Sequence, residues 1–194
     1  MVRAVRRLTL APFTAARLPE VRPWFEHPEV RRRLGGPEWP ARGLSLLGEG
    51  LGEMFRGRRV LRTHSWVAID ADGRVVAHVG GEVYDRWCRY RETPEGPEVT
   101  GAEPGPAMGL AYVVDPRRWG AGTGRATLAA VVAEPAVADV VVFAAGIEPD
   151  NVASVRCATA AGFAPDDPEP DWEGIVYYLR RRSAYASTTS TTGR

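Results

Sequence analysis

The chain has 194 residues, 44% of them hydrophobic, enough for one well-packed domain and too few for several. A formal net charge of +1 leaves neither the basic footprint of a nucleic-acid binder nor the polybasic patch of a membrane-surface protein. No stretch reaches the ~20 apolar residues of a membrane span, and the opening residues lack the apolar run of a signal peptide. The two cysteines, Cys88 and Cys157, have neither zinc nor disulfide-framework spacing. A cytoplasmic protein without a metal is expected. All 25 basic residues are arginine, which reads as the codon bias of a GC-rich genome alongside abundant Ala, Gly and Pro.

In chain order, residues 8–11 read as a first strand stopped by Pro12, and 14–27 as helix interrupted at Pro19 and Pro23. Residues 28–34 continue as a helical turn or two, ended by Gly35-Gly36-Pro37. Residues 41–56 carry Leu44, Leu47, Leu51, Met54 and Phe55 near amphipathic helical spacing, although four glycines weaken that helix. Strands are expected at 65–69 and 74–84, joined by a tight turn at Asp70-Ala71-Asp72-Gly73. Residues 86–106, rich in Pro, Glu and Gly, read as a long surface loop. A fourth strand follows at 107–114, then a helix running toward Pro135, a buried strand at 139–143, a helix from Asn151 to Gly162, and a last strand at 174–180. Residues 1–182 are expected to form a single domain, and the Ser/Thr-rich 183–194 a disordered tail. The order implies a mixed sheet with helices on its faces.

The most informative segment is Trp119-Gly120-Ala121-Gly122-Thr123-Gly124-Arg125, between the fourth strand and the next helix. Alternate glycines let the backbone turn its N–H groups toward one point, and the helix start adds unpaired N–H groups and the positive end of its dipole. Such a turn suits a phosphate or pyrophosphate. A P-loop is excluded: counting from Gly120, its second glycine position holds Arg125, and the chain has no lysine. A dinucleotide fingerprint fails too, because the third glycine arrives one residue early and the loop lies in the second half of the chain.

The loop resembles the Q/R-x-x-G-x-G/A pyrophosphate loop of the GNAT superfamily of acyl-CoA-dependent N-acyltransferases. Trp119 stands at the Gln/Arg position, a departure from the pattern, and Gly122 and Gly124 are the paired glycines. Val114-Asp115-Pro116 is similar to the V-x-P that ends that family's fourth strand. Asn151-Val152-Ala153-Ser154, continuing to Gly162-Phe163, resembles its N-x-x-S and G-F segments. Asn151 or Asp150 suits a helix N-cap and Gly162 a left-handed C-terminal cap. The resemblance covers roughly residues 60–182.

It implies an α/β (α+β) fold with a mixed, mostly antiparallel sheet splayed between its fourth and fifth strands, and helices on both faces. Acetyl-CoA would be the co-substrate. Its pantetheine would lie along Tyr112, Val113 and Val114, and beside Asn151 and Ser154. Its pyrophosphate would sit on the amides of Trp119, Gly120, Ala121, Gly122, Thr123, Gly124 and Arg125, with Arg118, Arg125 or Arg156 neutralising charge.

Acyl transfer to an amine needs a base, an oxyanion donor and a proton for the departing thiolate. Strand alternation puts Val76, His78, Gly80, Glu82 and Tyr84 on one face, with Glu82 the first candidate base and His78 the second. The tyrosine that many members carry seven residues after the motif's Asn is here Ala158. Tyr112 is left as the candidate acid, and Cys157 reads as core.

The expected activity is N-acetyl transfer to a primary amine of a small molecule or a protein N-terminus. The competing reading is a non-catalytic acyl-CoA sensor. The segment Pro23–Val30 with Gly35-Gly36-Pro37 resembles members that modify aminoglycosides or protein N-termini, and Trp24, Phe25 and Trp39 would lie over the acceptor cleft or in the core. The aspartate that aminoglycoside enzymes often carry on the fourth strand has no counterpart at 109–112. No nucleic-acid or membrane partner is expected, and a homodimer is compatible with the sequence.

Overall fold

A computed structural model describes residues 7–182. The tail expected at 183–194 lies outside the described residues. The strands are β1 (Thr9–Pro12), β2 (Met54–Phe55), β3 (Arg58–Ile69), β4 (Val75–Thr93), β5 (Gly96–Val114), β6 (Val142–Ile147), β7 (Ala164–Pro165) and β8 (Val176–Arg181). The α-helices are α1 (Leu18–Val21), α2 (Pro28–Leu34), α3 (Trp39–Ser45), α4 (Thr123–Ala133) and α5 (Val152–Ala160). The strands form one sheet in the order β1-β3-β4-β5-β6-β8-β7, with β2 folded onto β3. Only the β5–β6 pair is parallel, as the intervening α4 crossover requires.

The two sheet faces bury different clusters. On one, α4 and α5 cover Val79, Val83, Met108, Leu110 and Phe143. On the other, the N-terminal segment packs Phe13, Val21, Trp24, Phe25 and Val30 onto Val67 and Val113. Trp24 and Phe25 are therefore core, and Trp39 stacks on Phe25 with ring centroids 5.4 Å apart. Among the described residues, no helix is long and apolar enough to cross a membrane.

Three sequence expectations need correction. Residues 86–106 are not a loop but the outer half of a long hairpin, paired from Arg86↔Pro104 to Thr93↔Gly96. Pro97 and Pro104 are tolerated because β6 joins β5 only from Ala107, leaving one β5 edge unpaired before it. Residues 41–56 do not continue as helix. Gly48, Gly50 and Gly52 adopt φ of 90°, 72° and 81°, left-handed values that end α3 and turn the chain into β2. The strand expected at 139–143 starts later, at Val142, and runs to Ile147.

Candidate active site

The sheet opens between β5 and β6. Their parallel pairing ends at Leu110↔Ala145. Beyond it, β5 stays bonded to β4 as far as Ala77↔Val114, and β6 stays bonded to β8 as far as Ile147↔Val176. Each strand follows its outer neighbour, so residues 111–114 of β5 lose their partner on the β6 side. The sheet twist that drives neighbouring strands apart thus becomes a gap with a free backbone edge.

A cleft of about 980 Å³ occupies this gap and reaches the glycine loop. Tyr112, Val113 and Val114 form one wall, the loop from Arg118 to Arg125 one end, and Asn151, Ser154 and Cys157 of α5 the opposite wall. Gly120 and Gly122 have φ of 71° and 79°, so the loop turns through left-handed conformations. The Trp119 and Ala121 amides donate within the turn, to the carbonyls of Pro116 and Arg118 at 3.3 Å each. Among the described residues, the amides of Gly120, Gly122, Thr123, Gly124 and Arg125 donate to no protein group. At Gly124 a Cβ would lie 2.7 Å from Cys157 Sγ, so glycine is what lets α4 and α5 meet behind the cradle. The result is a set of unspent donors at a helix N-terminus.

The charged side chains divide into tied and free. Arg117 pairs with buried Asp115 at 2.8 Å and Arg118 with Asp70 at 3.2 Å. Burial opposes the charge on Asp115, yet the Arg117 hydrogen bonds hold its pKa below the usual carboxylate value. Arg125 and Arg156 are exposed on the cleft lining and, among the described residues, have no carboxylate partner. Asn151 caps α5, its side-chain oxygen accepting the Ser154 N–H at 3.2 Å. Helix α2 roofs the cleft: Arg32 bonds Asp150 at 3.0 Å, and Arg33 bonds Glu148 and, at 2.9 Å, Asp150. At the start of α2, His27 packs edge-on against Trp119, 4.6 Å between centroids. The Trp119 indole N–H donates to the Val114 carbonyl at 2.9 Å.

A second, smaller cavity of about 280 Å³ opens against the same split. Leu110, Ala111 and Gly146 line both spaces, so the two meet where the strands part. Here lie Glu82, Tyr84, Trp87, Tyr177 and Arg58. The Tyr84 hydroxyl donates to the Glu82 carboxylate. Burial, and then that hydrogen bond, raise the Tyr84 pKa, so the phenol keeps its proton. Gly81 allows β4 and β5 to cross closely at this point; a Cβ there would stand 1.7 Å from the Gly109 carbonyl oxygen.

A sequence model described as "Acetyltransferase (GNAT) domain" matches residues 7–164, most of the chain. The chain belongs to the GNAT acetyltransferase family. It is, by that membership, an acyltransferase. An N-acetyltransferase of Bacillus subtilis (strain 168), YfmK, itself uncharacterized, is 28% identical over 158 residues, spanning 81% of this chain and 86% of its own. In fold, the chain resembles AAC(6')-Ib in complex with paromomycin and acetyl-CoA, with a TM-score of 0.65 and 18% identity over 95% of this chain and 99% of that one. It also resembles the GNAT domain of S. lividans PAT, with a TM-score of 0.60 and 18% identity over 92% and 95% of the two chains.

Within this GNAT frame the two candidate catalytic side chains fall on opposite faces of the sheet. Glu82 lies exposed in the smaller cavity, while Tyr112 turns toward α5 in the larger cleft. The Tyr112 hydroxyl is buried with no hydrogen-bond partner among the described residues, and burial raises its pKa. His78 shares the Glu82 face but is buried against Phe13, 4.3 Å between ring centroids, and bonds the Ser65 hydroxyl at 3.0 Å. Burial lowers its pKa to about 4. Cys157 is half-buried beside Tyr112, and burial raises its thiol pKa.

Sequence reasoning missed Arg58 and the α2 clamp. The signal for Arg58 lay in Tyr84, Trp87 and Tyr90, aromatic residues marking a strand that continues past Tyr84 and has something to pack. Arg33 has a local partner in Glu29 at 3.5 Å, but no local pattern marks its clamp role, because Glu148 and Asp150 lie more than a hundred residues away.

Proposed function

We propose that this GNAT protein transfers the acetyl group of acetyl-CoA to the primary amine of a small molecule. The observation that carries the reading is the meeting of two unlike cavities at Leu110, Ala111 and Gly146, one with an anion cradle and one with a carboxylate. The residues present fit the co-substrate: unspent amides at a helix start suit a pyrophosphate, and a cleft of about 980 Å³ lies at the upper end of ligand sites. Gly120, Gly122, Thr123, Gly124 and Arg125 would hold the pyrophosphate, with Arg125 and Arg156 at its rim. The β5 edge at Tyr112, Val113 and Val114, open apart from the Val114 carbonyl that Trp119 engages, would hold the pantetheine, with Asn151 and Ser154 opposite. Acetyl-CoA, when bound, supplies a thioester whose S–C bond is exchanged for an N–C bond to the acceptor, releasing the thiol.

Glu82 takes the amine proton, directly or through water, and passes it to solvent. The Tyr84 hydrogen bond fixes the carboxylate for that task. A main-chain N–H of β5 beyond the split serves as the oxyanion donor, rigid and needing no side chain. Tyr112, protonated at neutral pH, supplies a proton or hydrogen bond to the departing thiolate from the other face. The co-substrate and acceptor thus approach the split from opposite sides, which keeps base and acid apart.

Titration calorimetry with acetyl-CoA, followed by free-thiol release against an amine panel, tests the proposal. Binding together with amine-dependent thiol release is the expected result. Binding with no release from any amine would favour the sensor reading, for which the replacement of the family's usual tyrosine by Ala158 is the motive.

A further inference from the structure

We infer that the acceptor is a small zwitterion, an amine that also bears an oxyanion group, with Arg58 holding the oxyanion while Glu82 holds the amine. This rests on the transfer reading above and narrows its acceptor. Arg58 lies against the Tyr84 ring, its guanidinium carbon 3.9 Å from the centroid, with the Trp87 ring at 5.6 Å. Stacking engages the face of a guanidinium and leaves its N–H fork free in the plane, the geometry that grips a carboxylate or phosphate through two bonds. Two arginines close by in the chain are ion-paired, Arg56 with Glu173 and Arg62 with Asp139, while Arg59 donates to the Gly52 carbonyl at 2.9 Å. Arg58 has no ion pair among the described residues, and its Nε is buried without a partner.

The second observation is why Arg58 and Glu82 do not neutralise each other. Tyr84 engages both, presenting its ring to the cation and its hydroxyl to the carboxylate. One small cavity therefore offers a separate positive and a separate negative group, the complement of a zwitterion. At about 280 Å³ it suits a metabolite of amino-acid size. A polycationic acceptor would face the guanidinium and gain nothing from it.

The test uses the full chain with coenzyme A present. Binding of the twenty protein amino acids, their amides, the matching decarboxylated amines, O-phosphoethanolamine and kanamycin is followed by calorimetry, and thiol release is followed in parallel with acetyl-CoA. At least one acid should bind roughly tenfold or more tightly than its own amide, a loss of about 1.4 kcal/mol for removing the charge. O-Phosphoethanolamine separates phosphate from carboxylate as the oxyanion recognised. Arg58→Gln should abolish the preference, and Arg58→Lys should restore part of it. Equal binding of acid and amide, no binding by any oxyanion-bearing amine, or a preference that survives in Arg58→Gln would each overturn the inference. The acid-against-amide comparison on the unmodified protein stands even where a variant fails to fold. Rapid acetylation of neutral amines would keep the transferase and remove the zwitterion; an oxyanion preference without thiol release would do the reverse.

Discussion

The two cavities that meet at the split are made of different material. The larger is a backbone site: a left-handed glycine turn, a helix start and a strand edge whose partner has peeled away. The smaller is a side-chain site, where Arg58, Glu82, Tyr84, Trp87 and Tyr177 come from three strands. A backbone site recognises what every reaction of the fold shares, since amides cannot be exchanged by mutation. A side-chain site can be rebuilt without disturbing the sheet, so on the proposed reading the acceptor specificity belongs there. Among GNAT relatives of known fold the first site should vary little and the second freely.

The comparison is tested hardest at Glu82. Glu82→Gln keeps the shape and the Tyr84 contact but accepts no proton, and kcat should fall about 10³-fold with little change in acetyl-CoA affinity. His78, on the same strand face, gives the opposite prediction. The unfolded chain protonates His78 near pH 6.5, whereas in the folded protein burial defers protonation to about 4. Between those values the unfolded state binds the extra proton, so stability present above pH 6.5 is lost as the pH falls toward 4. The total is on the order of 3 kcal/mol. The groups facing it, Ser65, Phe13 and Trp39, carry no charge to offset this. In His78→Gln, melting followed from pH 7 to 4.5 should lack that component, and thiol release should persist. Loss of transfer in His78→Gln, with Glu82→Gln still active, would exchange their roles.

Gly122→Val probes the backbone site. Beyond its own chain neighbours, no atom stands within 4 Å of a Cβ built at Gly122, so the lesion is conformational: φ of 79° is a region that a β-branched residue avoids. Calorimetry should show acetyl-CoA binding weakened about 100-fold, near 2.8 kcal/mol, with a modest change in melting temperature.

The same difference in material explains what could be read from the sequence. Gly120, Gly122 and Gly124 were legible as a turn with unspent amides because a backbone site needs particular residues at fixed spacing along one stretch of chain. Asn151 and Gly162 were legible for the same local reason: one caps α5 and the other leaves it at φ of 84°. The β4–β5 arm was not. Pro97 and Pro104 locally signal a loop, and only the absence of a neighbour on one edge makes them acceptable in a strand. The glycines at 48, 50 and 52 ended α3 although the apolar spacing continued, because left-handed backbone outweighs a pattern with no core to face; Leu51, Met54 and Phe55 are all exposed. Tyr84, Trp87 and Tyr90 signalled something to pack, but Arg58 could not be singled out as it, because its meaning depends on the register that lays β3 beside Tyr84. Among so many arginines, several of them without a carboxylate partner, no sequence pattern distinguishes the one set against Tyr84 and Trp87.

The smallest expected effect is also the most diagnostic of the comparison. Arg125 and Arg156 flank the cradle in solvent, where charges are screened within roughly 8–10 Å at ordinary ionic strength. If amides grip the pyrophosphate, these arginines add only long-range attraction. Arg125→Ala and Arg156→Ala should each weaken acetyl-CoA binding about threefold, near 0.6 kcal/mol, at low salt. The deficit should shrink as sodium chloride is raised from 20 to 300 mM, while the Gly122→Val defect persists. Fixed N–H donors act at contact and are little screened; mobile surface cations are not so protected. Should Arg125→Ala cost as much as Gly122→Val and vanish with salt, the larger cleft would be held by side chains after all, and the division of labour between the two cavities would fail.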